Sequence, residues 1–108
     1  MELAHIHDVE RPDSQGVFAR PLLEGEQSNV RIIRLGPGQI LPPHRHGASD
    51  LMLYAVAGDG VLDLPQGPSP FGAGALAFYR GDEELRLHNA GNTELTLLAF
   101  LAPKFATG

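Results

Sequence analysis

The sequence predicts an all-β sandwich or barrel built as a single domain, and three observations lead to this class. Short apolar runs recur between turn signals spaced about 8–12 residues apart, which is typical of such folds. The chain of 108 residues contains 13 glycines and 9 prolines, the residues that tight turns require. No segment combines a sustained helical period with helix caps. A chain of this length has room for one hydrophobic core.

The predicted elements begin with residues 1–16, a polar segment that we interpret as an arm or an edge strand. Residues 17–108 form the predicted barrel domain. Segment 65–70 is rich in Gly, Pro and Ser and is predicted to be the long loop between two halves of the fold. Run 95–101 is continuously apolar, so we expect it to be buried on both faces or to lie in an interface. The predicted strands are residues 17–23, 30–35, 51–57, 61–64, 75–79, 85–89 and 95–101.

The composition argues against nucleic-acid and membrane partners. With 13 acidic and 8 basic residues the net charge is −5, and the basic residues are scattered rather than arranged in a stripe. No apolar run approaches the roughly 18 residues of a membrane span, and the N-terminus lacks the features of a signal peptide. The absence of cysteine excludes disulfides and thiolate chemistry. We therefore expect a cytoplasmic protein that binds neither nucleic acid nor membrane.

The most informative pattern is the pair His44 and His46, which follows a Pro-Gly turn and two consecutive prolines. Residues two apart in an extended strand point to the same face of a sheet. Both imidazoles can therefore converge on one point, as a metal site or a polar pocket requires. A second His-x-His pair, His5 and His7, lies in the polar N-terminal segment and is interpreted as exposed.

With these histidines the chain resembles a small single-domain cupin over roughly residues 30–101. The first motif of that family is G-x5-H-x-H-x(3–4)-E-x6-G, and the second is G-x5-P-x-G-x2-H-x3-N. The matching residues are Gly38, His44, His46 and Gly58 in the first motif, and Gly74 and Asn89 in the second. The resemblance implies a double-stranded β-helix, or jelly roll, with a pocket open at one end. It also implies a divalent metal held by both histidines, the glutamate and the second-motif histidine.

Two of these four ligand positions carry leucine in this chain. In the best-matched alignment Leu51 stands at the glutamate position and Leu85 at the histidine position, and a carboxylate precedes each, Asp50 and Glu84. A shorter gap places Asp50 at the acidic position. Anchoring the second motif on Gly81 places Glu84 at the histidine position. The two alignments differ by one residue, which turns a strand side chain to the opposite face.

Solvation favours the alignment with leucines inside, because an unpaired interior glutamate costs several kcal/mol of desolvation. Apolar side chains then face the interior of the barrel, and their charged neighbours face solvent. We expect the inward side chains to double as the wall of a substrate pocket. The predicted pocket residues are Leu51, Leu53, Leu85, Leu87 and Tyr54.

The other alignment predicts a metal site with His44, His46, Asp50 and Glu84 as candidate ligands. It requires a β-bulge that turns one of the carboxylates inward. Two histidines and a carboxylate suit a single divalent ion, Zn, Mn, Fe or Ni, and leave open positions for substrate or dioxygen.

Two functions from different classes stay open at this stage. One is a divalent-metal-dependent enzyme, dioxygenase- or isomerase-like, acting on a small organic substrate. The other is a metal-poor module that binds or senses a small ligand in a leucine-lined pocket, with the histidines gripping its polar end. The sequence does not decide whether the protein is an enzyme, because function depends on the site rather than on the fold. A homodimer is expected, as in many small cupins, because pairing would cover exposed sheet edges.

Overall fold

The computed structural model describes residues 1–9 and 16–104, and within these ranges the chain forms nine strands and one short turn of 3₁₀ helix at Ile6–Asp8. No helix in these ranges has the length and apolar character to cross a membrane. Parts of the predicted arm (10–15) and of the predicted barrel domain (105–108) lie outside the described residues. The strands are β1 (Phe18–Glu24), β2 (Asn29–Leu35), β3 (Ile40–His44), β4 (Asp50–Ala57), β5 (Asp59–Leu64), β6 (Gly67–Gly72), β7 (Leu76–Tyr79), β8 (Leu85–Asn89) and β9 (Leu95–Ala102).

The strands form two antiparallel sheets that pack against each other through one apolar core. One sheet has the order β1-β2-β9-β4-β7, and the other has the order β3-β8-β5-β6. Consecutive strands mostly alternate between the sheets, so the chain winds as a double-stranded β-helix. The fold class predicted from the sequence is therefore confirmed.

The core lies between the inner faces of the sheets, because successive side chains along a strand point to opposite faces. Leu51 of β4 and Leu85 of β8 both point inward and are at most 1% exposed. Strand β9 lies between β2 and β4, with Leu97 in this core and Leu98 in a second apolar cluster on the outer face. Most of the apolar run in β9 is therefore buried on both faces, whereas Phe100 is 43% exposed on the outer face.

The N-terminal residues pack on the outer face of the five-stranded sheet and add no strand to it over residues 1–9. Ile6 and Val9 contact the second apolar cluster beside Ile32. The buried guanidinium of Arg34 donates hydrogen bonds to the carbonyl of Ile6, at 3.0 Å, and to that of Val9. These contacts attach residues 6–9 to the outer face of the sheet.

The prediction of a long loop over residues 65–70 is wrong. Strand β6 starts at Gly67 and pairs with β5 along its whole length, so only a tight turn separates the two strands. Strand β6 is an edge strand of its sheet, and proline is tolerated there because an outward-facing N–H has no ladder partner to lose. Pro68 and Pro70 are exposed. A composition typical of loops therefore concealed an edge strand.

Strand β3, which ends at the first of the two central histidines, lies at the opposite edge of the same sheet. The predicted strands omit it, because Pro42 and Pro43 resemble a break between elements. A register shift between Leu41 and His44 accommodates the prolines where β3 pairs with β8. The bulge lies immediately before the His-x-His pair and so helps to set its orientation.

Gly81, which lies shortly before β8, allows two backbone segments to approach closely. A Cβ atom added at this position would collide with the carbonyl oxygen of Gly47 and would lie 2.7 Å from that of Ser49. Both obstacles are backbone atoms, which do not move aside as a flexible side chain does. Any larger residue at position 81 must therefore displace the loop that follows β3.

We predict that Gly81→Ala lowers the free energy of unfolding by about 1–3 kcal/mol, as overpacking typically does. Gly25→Ala is the matched control, because its Cβ would approach no atom closer than 3.4 Å. Urea denaturation followed by circular dichroism measures both variants. Equal stability losses in the two variants would contradict the close-approach argument.

Candidate functional site

A cavity of about 460 Å³ opens between the sheets, where β1, β2 and β9 face β3. Most of its described wall is apolar, and the polar part includes the His-x-His pair. The apolar wall includes Val17, Ile33, Leu41 and Leu101. The polar side chains of the described lining are Arg31, His44 and His46. The cavity can thus desolvate the body of a small organic molecule while offering hydrogen bonds to one end of it.

The two histidine rings lie side by side in this wall. Their centroids are 4.6 Å apart and their planes are inclined by 66°. The Nδ1 of His44 lies 2.8 Å from the carbonyl oxygen of Pro42. A carbonyl only accepts hydrogen bonds, so Nδ1 carries the proton and donates it. This contact fixes the tautomer of the neutral His44 ring and leaves Nε2 as its acceptor.

The loop after β3 holds His46 through its backbone. The amide of His46 donates a hydrogen bond to the carbonyl of Gly81 at 2.9 Å, and its own carbonyl accepts one from the amide of Ser49 at 3.0 Å. The hydroxyl of Ser49 donates a further hydrogen bond to the carbonyl of Pro103 at 2.6 Å. The loop is therefore tied both to the segment before β8 and to the segment after β9, which orients the His46 ring.

The pKa of His46 is lowered from 6.5 to about 4, first by burial of the ring and second by the nearby positive charge of a protonated His44. His46 is only 4% exposed. Burial penalises the charged form of an imidazole, so the neutral ring is the stable species near pH 7. His46 therefore presents a neutral, polar edge to the cavity under physiological conditions.

The carboxylates proposed as metal ligands lie outside the cavity. Asp50 is exposed. Glu84 accepts a hydrogen bond from Nε of Arg86 at 2.6 Å, and its other oxygen lies 3.5 Å from Nη1 of Arg45. Within the described ranges, no group of three or more potential ligands is placed to hold a metal ion.

The donor set therefore does not fit the four-ligand site that the cupin resemblance implies. Leu51 and Leu85, which stand at the glutamate and histidine positions of the motifs, are buried in the apolar core. Of the four candidate ligands, the structure brings His44 and His46 together and leaves Asp50 and Glu84 elsewhere.

The predicted pocket residues occupy two different places. Leu51, Leu53, Leu85 and Leu87 lie in the fully packed part of the core, next to the cavity rather than in its described lining. Tyr54 is on the outer face of β4, where it packs against the second apolar cluster. The alternation along β4 explains this placement, because Tyr54 follows the inward-facing Leu53.

Arg31 is a cavity residue that the sequence reasoning missed. It lies on β2 opposite Ala99 of β9, on the same face as Ile33 and Leu35. The alternation of β2 places Arg31 on one face with Ile33, because residues two apart share a face. The sequence alone leaves the inner face of β2 undefined, since both faces of this strand carry isoleucine.

Comparisons with known proteins agree with this architecture, although no protein-family model matches the sequence. The chain is 28% identical to an oxalate-binding protein of Thermotoga maritima over 94% of its own length and 74% of that protein. A predicted oxalate decarboxylase from Thermotoga maritima has a TM-score of 0.73 at 27% identity, covering 81% of this chain and 80% of that one. An RmlC-like cupin protein from Desulfovibrio desulfuricans has a TM-score of 0.83 at 20% identity, covering 97% of this chain and 99% of that one. The resemblance to cupins is confirmed.

We predict that His46 makes the stability of the protein depend on pH between about 6.5 and 4. The unfolded chain takes up a proton near pH 6.5, whereas the folded chain resists it until about pH 4, so stability falls as pH falls through this interval. Over this interval the free energy of unfolding is expected to fall by on the order of 2–3 kcal/mol. Urea denaturation of wild type and His46→Gln at pH 7 and pH 4.5 measures how much of the pH-dependent change in the free energy of unfolding is due to this ring.

The control for this experiment is His5→Gln, which removes an exposed histidine and should retain the wild-type pH dependence. A His46→Gln variant that loses as much stability on acidification as wild type would contradict the assignment.

Proposed function

Because this chain has the double-stranded β-helix fold of the cupins, we propose that it is a metal-poor module that binds or senses a small organic molecule in the cavity beside His44 and His46. The observation that carries this proposal is the burial of Leu51 and Leu85. With leucine at two of the family's four ligand positions, two histidines alone make a weak metal site. The two leucines extend the apolar core instead.

The cavity has the properties expected of a binding pocket for a molecule with one apolar part and one polar part. Ile33, Leu41 and Leu101 supply the apolar wall. His44 and His46 supply polar ring edges at one side, and backbone contacts hold both residues in place. The similarity to an oxalate-binding protein supports a role in binding small molecules.

The second candidate is the divalent-metal-dependent enzyme, and the close approach of the two imidazoles favours it. A ring-centroid separation of 4.6 Å is compatible with two ligands of one ion. The similarity to a predicted oxalate decarboxylase points in the same direction. The outward positions of Asp50 and Glu84 argue against it, because neither supplies the missing acidic ligand. Metal content therefore decides between the two candidates.

We predict that purified protein, after incubation with Zn, Mn, Fe or Ni and desalting, retains far less than one metal ion per chain by elemental analysis. Small apolar acids or phenols should raise the melting temperature by several degrees, because a ligand that binds only the folded state stabilises it by mass action. The double variant His44→Ala/His46→Ala should lose this stabilisation.

The chain offers a matched control in its other His-x-His pair. The double variant His5→Ala/His7→Ala removes two exposed histidines with the same spacing and should respond to ligand as wild type does. Stoichiometric metal that disappears in His44→Ala/His46→Ala and persists in the control would instead establish the metal-dependent candidate.

We further propose that the protein is a homodimer that pairs through the outer face of the five-stranded sheet. Phe100, Met52 and Phe78 lie side by side across β9, β4 and β7, and each is between 43% and 53% exposed. A groove of about 570 Å³ borders this row and includes Met52, Phe100 and Met1 in its lining. A contiguous exposed apolar row on a sheet face is typical of an interface.

We predict that Met52→Glu shifts the protein from dimer to monomer, because it places a charge in the centre of this row. Ile40→Glu is the control, since Ile40 is 66% exposed on the other sheet. Sedimentation equilibrium measures both variants. A wild-type protein that is monomeric at high concentration, or a Met52→Glu dimer as stable as wild type, would contradict the proposed interface.

A further inference from the structure

The charge of the cavity wall is opposite to that of the protein as a whole. The chain has a net charge of −5. The described lining of the cavity contains no Asp or Glu, and Arg31 is its only side chain with a permanent charge. The fixed positive charge of the wall is therefore that of one guanidinium.

Arg31 reaches this position from the backbone of β2. Its strand partners are Pro21 on β1 and Ala99 on β9, neither of which has a polar side chain. The residue is half-buried. Over residues 1–9 and 16–104, no carboxylate lies within ion-pair distance of its guanidinium, whereas Arg34, Arg45, Arg80 and Arg86 each have such a carboxylate.

Arg31 is half-buried and lies beside apolar walls, so an anion in the cavity would give its guanidinium an ionic partner. A carboxylate matches the planar fork of arginine with two parallel hydrogen bonds. From this arrangement we propose that Arg31 makes the cavity selective for small carboxylates, with the carboxylate on Arg31 and a second polar group of the ligand at His44 and His46. This inference deepens the proposed binding function and rests on it.

The single fixed charge favours a carboxylate over more highly charged anions. A dianionic phosphate would leave one negative charge facing Ile33, Leu41 and Leu101, which costs several kcal/mol when it is not compensated. A neutral ligand would leave the guanidinium without an ionic partner. By the same argument an apolar monocarboxylate is the favoured ligand, because a short dicarboxylate such as oxalate is also a dianion near pH 7; the probes below separate the two.

The experiment compares three arginine variants by isothermal titration calorimetry. Arg31→Met keeps the aliphatic stem that covers the apolar wall and removes the charge. Arg31→Lys keeps the charge and removes the bidentate fork. Arg20→Met is the matched control, because Arg20 is exposed on β1 and pairs with Ile32, whose side chain lies in the outer-face cluster. Circular dichroism and thermal melting verify that each variant is folded.

The probes are benzoate, its neutral analogue benzamide, and oxalate. We expect wild type to bind benzoate or oxalate, and to bind benzoate at least about tenfold more tightly than benzamide. Arg31→Met should weaken binding of the carboxylate about tenfold or more, which corresponds to a lost charge-assisted hydrogen-bonding pair. Arg31→Lys should fall between Arg31→Met and wild type, and Arg20→Met should bind as wild type does. Preference for benzoate over oxalate assigns an apolar monocarboxylate, and the reverse assigns a short dicarboxylate.

The outcomes separate this inference from the function on which it rests. Carboxylate binding that survives Arg31→Met but is lost in His44→Ala/His46→Ala overturns the role of Arg31 and leaves the binding function standing. Equal affinity of wild type for benzoate and benzamide also overturns the role of Arg31. If neither these probes nor phenols bind to wild type, both the inference and the proposed binding function fail.

Discussion

The alternation of inward and outward side chains along the paired strands is the constraint on which the rest of this structure depends. Most inward positions in the closed part of the barrel carry apolar side chains, and leucines fill most of that space. Burial of each is worth about 1.5–3 kcal/mol. The cavity is the part of the interior that these side chains leave open, where β1, β2 and β9 face β3. The shape of the candidate site is therefore set by the boundary between the packed core and the open part of the interior.

The same constraint decides what the site can hold. Leu51 and Leu85 extend the core through positions at which the cupin motifs place a glutamate and a histidine. An ionised carboxylate at either position would need a metal or a donor to offset several kcal/mol of desolvation, whereas a leucine is stable there alone. The chain thus replaces polar ligand positions by apolar packing.

The fold was predictable because it depends on features that a single sequence displays openly. Turn residues at regular spacing and the absence of a helical period sufficed for the class. His44 and His46 both line the cavity, but His46 lies in the loop after β3, so strand parity alone does not account for its position. Pro68 and Pro70 misled the assignment of β6, because an edge strand tolerates a composition that resembles a loop. The homodimer and the cytoplasmic location stay predictions.

Arg31 could not be assigned from the sequence for a different physical reason. A strand with one buried face shows which of its side chains point inward, but β2 is covered on both faces. Ile33 faces the core and Ile32 faces the cluster beneath the N-terminal arm. Arg31 and Arg34 consequently lie on opposite faces, one at the cavity and the other bonded to the arm. Which arginine faces the cavity becomes clear only from the pairing of β2 with β1 and β9 in the folded sheet.

Strand register, rather than ion pairing, keeps acidic side chains out of the cavity. Glu84 lies near Arg45 and Arg86, but exposed pairs of this kind contribute about 0–1 kcal/mol each. Turning Glu84 inward would also turn the adjacent Leu85 out of the core, at a cost of several kcal/mol. The leucine therefore holds the glutamate outside, and the arginines only stabilise it there. Over residues 1–9 and 16–104 no carboxylate lines the cavity, which supports the proposal that Arg31 binds an anion from solution.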